Sequence, residues 1–344
     1  MPQAQRSTDS GAQCDRNQCA ILHVISVIRR DVAGEAAHAR EPMRQTSVVR
    51  LALIANPRSG TAPGVGELAP RLAEGGAALT SVPIDEIAGK DGGELQPGAL
   101  GALTAGGRPD RVVVAGGDGS IGPAALCAAE LGVPLAVVPA GTANDFARAK
   151  ELPLELDEAC ALARDPRAAA APADLGMAAG RPFVNAASAG LAVVAADAAK
   201  PHKPRLGPVA YGIGALRAGL TTAPLHCTVV CDGERGFAGP TWQVVVGVTG
   251  AFGGGSEIGA TRPDDGLLDV AVVPAGSRLG LARRAFGMRA GRLTEQDDVV
   301  HKRAAVIEVE TDGHTAFNID GETCRCDPAR FTLHPGGFDV VTPG

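Results

Sequence analysis

The sequence predicts a two-domain protein, in which an α/β N-terminal domain with a parallel sheet precedes a mainly β, sandwich-like C-terminal domain. Between about residues 47 and 155, near-continuous apolar runs alternate with helix-compatible stretches, a pattern typical of parallel strands covered on both faces. From about residue 156 to residue 334, the chain changes to short strand-like runs separated by turn residues, which favours a β-sandwich. At 344 residues, the chain is long enough for both domains.

The elements of the N-terminal domain are predicted from these runs. The best strands are VVRLALIA from Val48, VVVAGG from Val112 and PLAVVPAG from Pro134, and AALTSVPI from Ala77 is weaker. Helix-compatible stretches lie at 64–75, within 89–107 and at 124–131. The three best strands end in the turns NPRSG, GGDGS and GTAND. Because ligands of parallel sheets bind at the carboxyl ends of strands, these turns are the candidate site.

The C-terminal domain is predicted from short strands, one helical insertion and a final strand. The insertion is expected at Ser277–Leu293, and residues 335–344 are expected to form a strand that can return to the first domain. Residues 1–46 are expected to be a polar, flexible extension. The strand-like runs are RPFVNAASAG, LHCTVVCDG, TWQVVVGVTG, LLDVAVVP, AAVIEVET, TAFNIDGE and RFTLHP.

Composition excludes several classes of function. A net charge of −6 and an aromatic content of 3% argue against nucleic acid as a partner, because nucleic-acid binders need a basic footprint and stacking platforms. No run of about 18 apolar residues predicts a membrane span. The pairs Cys227/Cys231 and Cys324/Cys326 lack the two-residue gap of zinc knuckles. The eight cysteines are therefore expected to be reduced thiols in the cytoplasm.

The turn after the second best strand contains an acidic residue among glycines. Gly117, Gly119 and Gly122 match the spacing of a dinucleotide-binding turn, yet the Asp118 carboxylate would repel a pyrophosphate. The next strand ends without the acidic residue that holds a ribose, and no lysine follows the glycines as it does in a Walker motif. A bridging Mg²⁺ would resolve the repulsion, as in phosphoryl transfer. The alternative is a tight strand–helix turn without a ligand.

Six motifs in order resemble those of the diacylglycerol kinase catalytic family, which includes bacterial lipid kinases and sphingosine kinases. The resemblance covers almost the whole chain from Val49 onward. It implies a Rossmann-like, NAD-kinase-like α/β domain, a β-sandwich lipid-substrate domain and ATP in the cleft between them. The motifs are NPRSG (Asn56–Gly60), GGDGS (Gly116–Ser120), GTANDFAR (Gly141–Arg148), RLGPVAYGIGAL (Arg205–Leu216), GGG followed by DDGLLDV (Gly253–Val270) and NIDGE (Asn318–Glu322).

The resemblance also implies a role for individual residues. Glu322 would be the catalytic base, with Asp320 beside it and Asp118 in the phosphate turn. A structural Mg²⁺ would be held by the side chain of Asp265 and by backbone oxygens of Leu267 and Arg262. The residues that would contact ATP, or fix the loops around it, are Asn56, Ser59, Gly60, Gly116, Gly117, Asp118, Gly119, Ser120, Thr142, Asn144 and Asp145.

The chain departs from the family pattern at several positions. Gly122-Pro123 replaces a usual Asn-Glu, so the third glycine is interpreted as a by-product of that replacement and a polar contact near the phosphates is expected to be lost. Thr249 replaces the Asn before the triple glycine, and the loop 255–265 is one residue short. Asp320 and Glu322 are expected to face the same way from an extended segment; the alternative is an ordinary D-G turn between strands.

A lipid substrate keeps its acyl chains in a bilayer, so a membrane surface is an expected partner. Ser277–Leu293 carries five arginines and no acid, and Lys200–Arg205 is a second basic loop. Basic residues attract anionic lipid, which predicts peripheral association with the inner face of the membrane; the alternative is a solvated face. The sequence leaves oligomeric state open, a homodimer included. Besides an ATP-dependent lipid kinase, an NAD kinase and a catalytically weak nucleotide- or lipid-binding regulator remain alternatives.

Overall fold

The computed structural model describes most of the chain from Val48 to the C-terminus. The predicted extension, the segment Arg205–Leu216, the basic loop Lys200–Arg205 and nearly all of the predicted helical insertion lie outside the described residues. In the described part of the chain, no helix is both long and apolar enough to cross a bilayer. The described residues are 48–56, 63–89, 94–191, 193–194, 222–252, 256–258, 262–277, 293–296, 298–313, 315–325 and 329–344.

The N-terminal domain has the predicted parallel sheet. Its strands lie in the order β2-β1-β3-β4, and each neighbouring pair is parallel. Helices lie on both faces. The strands are β1 (Arg50–Ala55), β2 (Ala78–Pro83), β3 (Arg111–Gly116) and β4 (Leu135–Pro139), and the helices are α1 (Val65–Ala73), α2 (Ile84–Ala88), α3 (Ala99–Thr104), α4 (Asp118–Leu131), α5 (Asp145–Ala149) and α6 (Leu156–Arg164).

Two helices differ from the sequence prediction. Helix α4 begins at Asp118 and not near residue 124, because the glycine turn is itself the first helical turn. Helix α6 lies where short strands were expected. Its small residues Ala159, Cys160 and Ala163 share a buried cluster with Ala136 and Val138 of β4, the strand against which the helix packs, and the strand-rich region begins only at residue 169. The short apolar spacing of α6 is compatible with both types of element, which explains the missed helix.

The C-terminal domain is built from antiparallel strands around an aromatic core. Phe183, Phe317 and Phe331 are fully buried there, and the ring of Phe331 lies 6.2 Å and 5.6 Å from the rings of the other two. The strands are β5 (Ala169–Ala178), β6 (Arg181–Phe183), β7 (Ala186–Gly190), β8 (Leu225–Cys231), β9 (Glu234–Gly247), β10 (Ala251–Phe252), β11 (Ser256–Glu257), β12 (Leu268–Pro274), β13 (Val300–Ala304), β14 (Val306–Thr311), β15 (Ala316–Ile319), β16 (Glu322–Arg325) and β17 (Ala329–Thr342).

Strand β17 joins the two domains through backbone hydrogen bonds. Its first half pairs with β14 in the C-terminal domain, and Val340 in its second half pairs in parallel with Leu135 of β4. Strand β5 runs antiparallel to β17 along nearly its whole length. The described strands therefore form one continuous sheet, apart from the β10–β11 hairpin. This continuity fixes the C-terminal domain beside β4, the outer strand of the parallel sheet.

Gly122 sits where α4 packs on β6. A Cβ on Gly122 would lie 2.4 Å from the carbonyl oxygen and 2.8 Å from the carbonyl carbon of Pro182, both backbone atoms that cannot turn away. The third glycine of the G-x-G-x-x-G spacing is therefore required by close packing between the domains. The interpretation that the resemblance of this spacing to a dinucleotide-binding turn is a by-product of the replacement stays a prediction.

We expect Gly122→Ala to destabilise the protein by about 2 kcal/mol, as overpacking does, although Gly→Ala within a helix ordinarily stabilises by up to about 1 kcal/mol. Gly101→Ala is the matched control, because Gly101 also lies in a helix and its Cβ would meet no atom within 4 Å. Chemical denaturation of both variants measures the difference. Equal stability of the two variants would contradict the close-packing account.

Candidate active site

Three loops converge at the carboxyl edge of the parallel sheet. Asn56 follows β1, the segment Gly116–Ser120 joins β3 to α4, and the segment Gly141–Asn144 joins β4 to α5. Since β1, β3 and β4 are adjacent, the loops lie side by side, as the sequence predicted. Ser59 and Gly60 fall outside the described residues, and the Thr142 side chain is exposed in the third loop.

Gly116 and Gly141 are needed because neighbouring atoms occupy the space that a Cβ would take. A Cβ on Gly141 would lie 2.6 Å from the Cα of Gly117, and a Cβ on Gly116 would lie 2.7 Å from the Oγ of Ser120. Asn56 Nδ2 donates to Ser120 Oγ at 2.9 Å. The three loops therefore form one close-packed surface at the N-terminus of α4, where backbone N–H groups and the helix dipole favour an anion.

Asn144 fixes the third loop. Its backbone has φ 54° and ψ 43°, the left-handed conformation that asparagine tolerates best after glycine. Its Oδ1 accepts a hydrogen bond from the Gly141 N–H at 2.9 Å. This bond closes the turn in front of α5 and holds Gly141 against Gly117.

Hydrogen bonds from α5 and from the C-terminal domain hold the Asp118 carboxylate. Its Oδ1 accepts hydrogen bonds from the Phe146 N–H at 3.0 Å and from Asn185 Nδ2 at 2.9 Å. Both bonds engage the same oxygen, and within the described part of the chain Oδ2 accepts none. The acidic side chain thus ties the glycine turn to α5 and to the C-terminal domain, and retains one oxygen that can bind a cation.

Asp320 and Gly321 form the turn between β15 and β16. Their φ values are 46° and 94°, and Ile319 pairs with Glu322 across the hairpin. Positive φ at both central residues is the geometry of a two-residue hairpin turn, for which Asp-Gly is a preferred sequence. The expectation of an extended segment with both carboxylates on one face was therefore wrong, and the alternative of a D-G turn is what the structure contains.

The Asp320 carboxyl group faces the backbone N–H groups of residues 184–186. It accepts N–H bonds from Val184 at 2.7 Å and from Asn185 and Ala186 at 3.0 Å. Burial raises the pKa of Asp320 to about 7; the three N–H bonds oppose this shift and the charge of Asp118 adds to it. Asp320 thus anchors the hairpin turn that presents Glu322.

Glu322 reaches the glycine turn of the other domain. A Cβ on Gly119 would lie 3.2 Å from the Cγ and 3.6 Å from the Oε1 of Glu322, and 3.1 Å from the Asp320 carbonyl oxygen. The absence of a side chain at Gly119 therefore lets Glu322 lie over the first turn of α4. The structure brings together Asn56, Gly116–Ser120, Asn144, Asp320 and Glu322, as predicted from separate motifs.

Sequence reasoning missed Asn185, which is 2% exposed and contacts the carboxylates of Asp118 and Asp320. Its side-chain amide bonds to Asp118 and its backbone N–H bonds to Asp320. Thr249 Oγ1 donates to Asn185 Oδ1 at 2.9 Å. The only feature that could have indicated Asn185 is a polar residue in the otherwise apolar run RPFVNAASAG, because buried polar groups are retained where they have partners.

The predicted Mg²⁺ loop lies apart from this cleft. Its Asp265 carboxylate accepts the Leu267 N–H at 3.2 Å and is paired with the Arg303 guanidinium, while Lys150, directly after α5, pairs with Asp264. Arg262 is exposed. Among the described residues, no group of three His, Cys, Asp or Glu side chains could hold a metal ion. Of the three predicted ligands, only Asp265 would offer a carboxylate, which is already paired with Arg303, and the Mg²⁺ site stays a prediction.

The same loop is tied to the strands that link the domains. The buried Asp174 carboxylate accepts the Gly266 N–H at 3.0 Å and the Gly336 N–H at 2.6 Å, and Asp264 Oδ1 accepts the Asp174 N–H at 3.1 Å. These bonds connect the loop to β5 and β17. Hydrogen bonds within the protein thus order this loop.

The described cysteines are free. Cys227 is buried in β8, and burial raises its pKa to about 12. Cys231 lies on the same strand, and Cys324 lies on β16 at the other end of the sheet. Cys326 lies outside the described residues.

Comparison with known proteins agrees with this geometry. Residues 50–178 match the model of the diacylglycerol kinase catalytic domain, and residues 185–342 match that of the YegS C-terminal NAD kinase beta sandwich-like domain. A "Probable lipid kinase YegS-like" of Pseudomonas syringae pv. syringae (strain B728a) is 33% identical over 74% of this chain and 82% of its own length. The chain belongs to the diacylglycerol kinase family.

Other members of this lipid kinase family are more distant. The "Diacylglycerol kinase" of Mycobacterium tuberculosis (strain CDC 1551 / Oshkosh) is 28% identical over 88% of this chain and 97% of its own length. A crystal structure of a diacylglycerol kinase from Bacillus anthracis str. Sterne superposes with a TM-score of 0.62 at 24% identity, covering 86% of this chain and 98% of the other. This likeness shows the fold of the family: an α/β N-terminal domain followed by a β-sandwich-like domain.

The raised pKa of Asp320 predicts a specific pH dependence of stability. Between pH about 4 and about 7, the folded protein holds a proton on Asp320 that the unfolded chain has released, since the usual pKa is 3.8. The unfolded state then binds fewer protons, so this group's contribution to the free energy of unfolding falls as pH rises through that window. Asp320→Asn removes the titration.

Denaturation of wild-type protein and Asp320→Asn at a series of pH values measures this dependence. The Asn variant is destabilised throughout, because its amide cannot accept three N–H bonds. We expect the stability difference between the two proteins to shrink as the pH rises from 4 to 7. A difference that stays constant across this range would show that Asp320 does not titrate there.

Proposed function

We propose that the protein is an ATP-dependent lipid kinase, which transfers the γ-phosphoryl group of ATP to the hydroxyl of diacylglycerol or a related lipid alcohol. The observation that carries this proposal is the approach of Glu322, from the C-terminal domain, to Gly119 in the phosphate turn of the N-terminal domain. A carboxylate from one domain thereby lies beside an anion-binding helix terminus of the other. That arrangement suits transfer of a phosphoryl group between two ligands that meet in the cleft.

The phosphate side of the reaction depends on the loops around α4. The turn Gly116–Ser120 would cradle the triphosphate with its backbone N–H groups, and Asn56, Thr142 and Asn144 would border it. Asp118 offers a carboxylate oxygen beside the phosphates, where a Mg²⁺ ion, when bound, would neutralise charge on the phosphoryl oxygens. The protein contributes the position of that carboxylate and of the N–H groups.

The acceptor side depends on Glu322. As the lipid oxygen forms its bond to the γ-phosphorus, the bond from phosphorus to the β–γ bridging oxygen breaks and its electron pair leaves with ADP. The hydroxyl proton passes to the Glu322 carboxylate, which acts as general base. Asp320 does not accept this proton in the proposal. Its carboxyl group holds the hairpin turn through three backbone N–H bonds.

A lipid alcohol is proposed as the acceptor because relatives with matching sequence are named lipid kinase and diacylglycerol kinase. We further propose that the protein works at the inner face of the membrane as a peripheral protein. The arginines of 278–292 and the basic loop 200–205 support this by their charge alone. Sedimentation with anionic and with neutral vesicles tests the proposal; equal binding to both would overturn it.

The experiment that tests the function offers labelled ATP and Mg²⁺ to the protein with diacylglycerol, other lipid alcohols and NAD. Labelled lipid phosphate is the expected product. Product on NAD alone would replace the proposal with an NAD kinase activity. ATP binding without transfer to any lipid would favour a regulatory binder.

We expect Glu322→Gln to lower kcat by about 10²–10⁴-fold, the usual contribution of a general base. The amide keeps the size of the side chain beside Gly119, so ATP binding and unfolding temperature are expected to stay near those of the wild type. Glu310→Gln is the matched control, because Glu310 is an exposed glutamate of β14 in the same domain. The lipid phosphorylation assay measures both variants. A near-normal rate for Glu322→Gln would remove Glu322 from the mechanism.

A further inference from the structure

The Asn185 residue uses every polar group it has within the site. Its Nδ2 donates to Asp118 Oδ1 at 2.9 Å and its N–H donates to Asp320 Oδ1 at 3.0 Å. Its Oδ1 accepts the Thr249 hydroxyl at 2.9 Å, and its carbonyl oxygen accepts the Val248 N–H at 2.8 Å. A buried asparagine whose amide nitrogen, amide oxygen, backbone N–H and backbone carbonyl each have a partner is held in one orientation by those partners.

The direction of these bonds follows from their chemistry. A carboxylate can only accept, so the Asn185 amide must present its NH₂ group to Asp118 and its oxygen to Thr249. The Thr249 hydroxyl must then donate to that oxygen. Its own oxygen accepts the Ala251 N–H at 3.4 Å. The bonds therefore run in one direction, from Ala251 through Thr249 and Asn185 to Asp118.

We propose that Asn185 is a positioning residue, which aligns the Asp118 carboxylate of the phosphate turn with the hairpin that carries Glu322, and that Thr249 fixes the orientation of its amide. The proposal rests on the proposed function, since it assigns Asn185 to the same phosphoryl-transfer site. Asn185 touches neither ATP nor lipid in this account. It acts by occupying Asp118 Oδ1, so that the other oxygen faces the ligand.

Loss of this bond changes more than packing. Without Asn185 Nδ2, Asp118 Oδ1 keeps only the Phe146 N–H, and rotation of the carboxylate is then restrained by one bond in place of two. Misplacement of a group by about 1 Å can cost a factor of about 10² in rate. Thr249, which replaces the asparagine usual in the family, has a role in this arrangement, because its hydroxyl donates to Asn185 Oδ1.

The test compares Asn185→Leu and Thr249→Val with Thr241→Val as the matched control. Thr241 is also a buried threonine of this domain, but its hydroxyl bonds to the carbonyl oxygens of Val273 and Gln243, away from the site. At saturating ATP, Mg²⁺ and lipid, we expect kcat to fall about 100-fold in Asn185→Leu and about 10-fold in Thr249→Val. The KM for lipid is expected to change less than threefold. Thr249→Ser, which keeps the hydroxyl, is expected to recover most of the rate.

Thr241→Val and Thr249→Val are expected to lose a similar amount of stability, but Thr241→Val is expected to keep the kcat of the wild type. This difference distinguishes a positioning role from the general effect of removing a buried hydroxyl. Equal kcat values in Thr249→Val, Thr241→Val and the wild type would overturn the proposal. If Asn185→Leu fails to fold, the kcat of Thr249→Val still tests the proposal, because that variant leaves Asn185 in place.

Titration of ATP into each protein, with Mg²⁺ and with EDTA, gives a second readout that needs no lipid acceptor. Asn185→Leu is expected to lose about tenfold in ATP affinity with Mg²⁺ and to match the wild type in EDTA. If the wild type phosphorylates no lipid but this Mg²⁺-specific loss is observed, the proposed function fails while the role of Asn185 stands. If affinity in Mg²⁺ is unchanged in Asn185→Leu, the role of Asn185 fails on its own.

Discussion

The arrangement of the site depends on the hydrogen bonds that the Asp118 carboxylate accepts. One oxygen joins the glycine turn to the Phe146 N–H of α5 and to Asn185 of the C-terminal domain. An acidic side chain at a phosphate-binding turn is unfavourable unless it is held and neutralised. Here the protein holds it by two donors, and the proposed Mg²⁺ supplies the neutralising charge. The acidic residue that the glycine spacing does not explain, Asp118, is therefore one of the points at which the two domains contact each other.

The continuous sheet holds the two domains in a fixed relative position. Strand β17 pairs with β14 on one side and with β4 on the other, and β5 runs beside it. The close approach of Gly122 to Pro182 packs α4 directly on the C-terminal domain. Small misplacements of one domain would shift Glu322 from Gly119, so a fold with backbone pairing across the boundary suits a site shared between domains. The site therefore depends on the strands that join the two domains as much as on the loops that carry its residues.

The sequence predicted those parts of the structure that depend on local pattern. Apolar runs located β1, β3 and β4, and motif spacing brought Asn56, Gly117 and Asn144 to one edge. It favoured an extended segment at Asp320 and left the D-G turn as the alternative, because the pairing of β15 with β16 that makes the hairpin is not visible in the sequence. Helix α6 was missed for a similar reason, since its short apolar spacing fits both element types. The partners of Asn185 are far apart in the chain, so no local pattern encodes them.

Binding of ATP in the presence and absence of Mg²⁺, measured by calorimetry for the wild type and for Asp118→Asn, tests the central claim most directly. If the carboxylate is tolerated beside the phosphates because a divalent cation lies between them, chelation weakens ATP binding to the wild type by tenfold or more. In Asp118→Asn, which lacks the charge, chelation has a much smaller effect. ATP affinity that is equal with and without Mg²⁺ in both proteins would contradict the account.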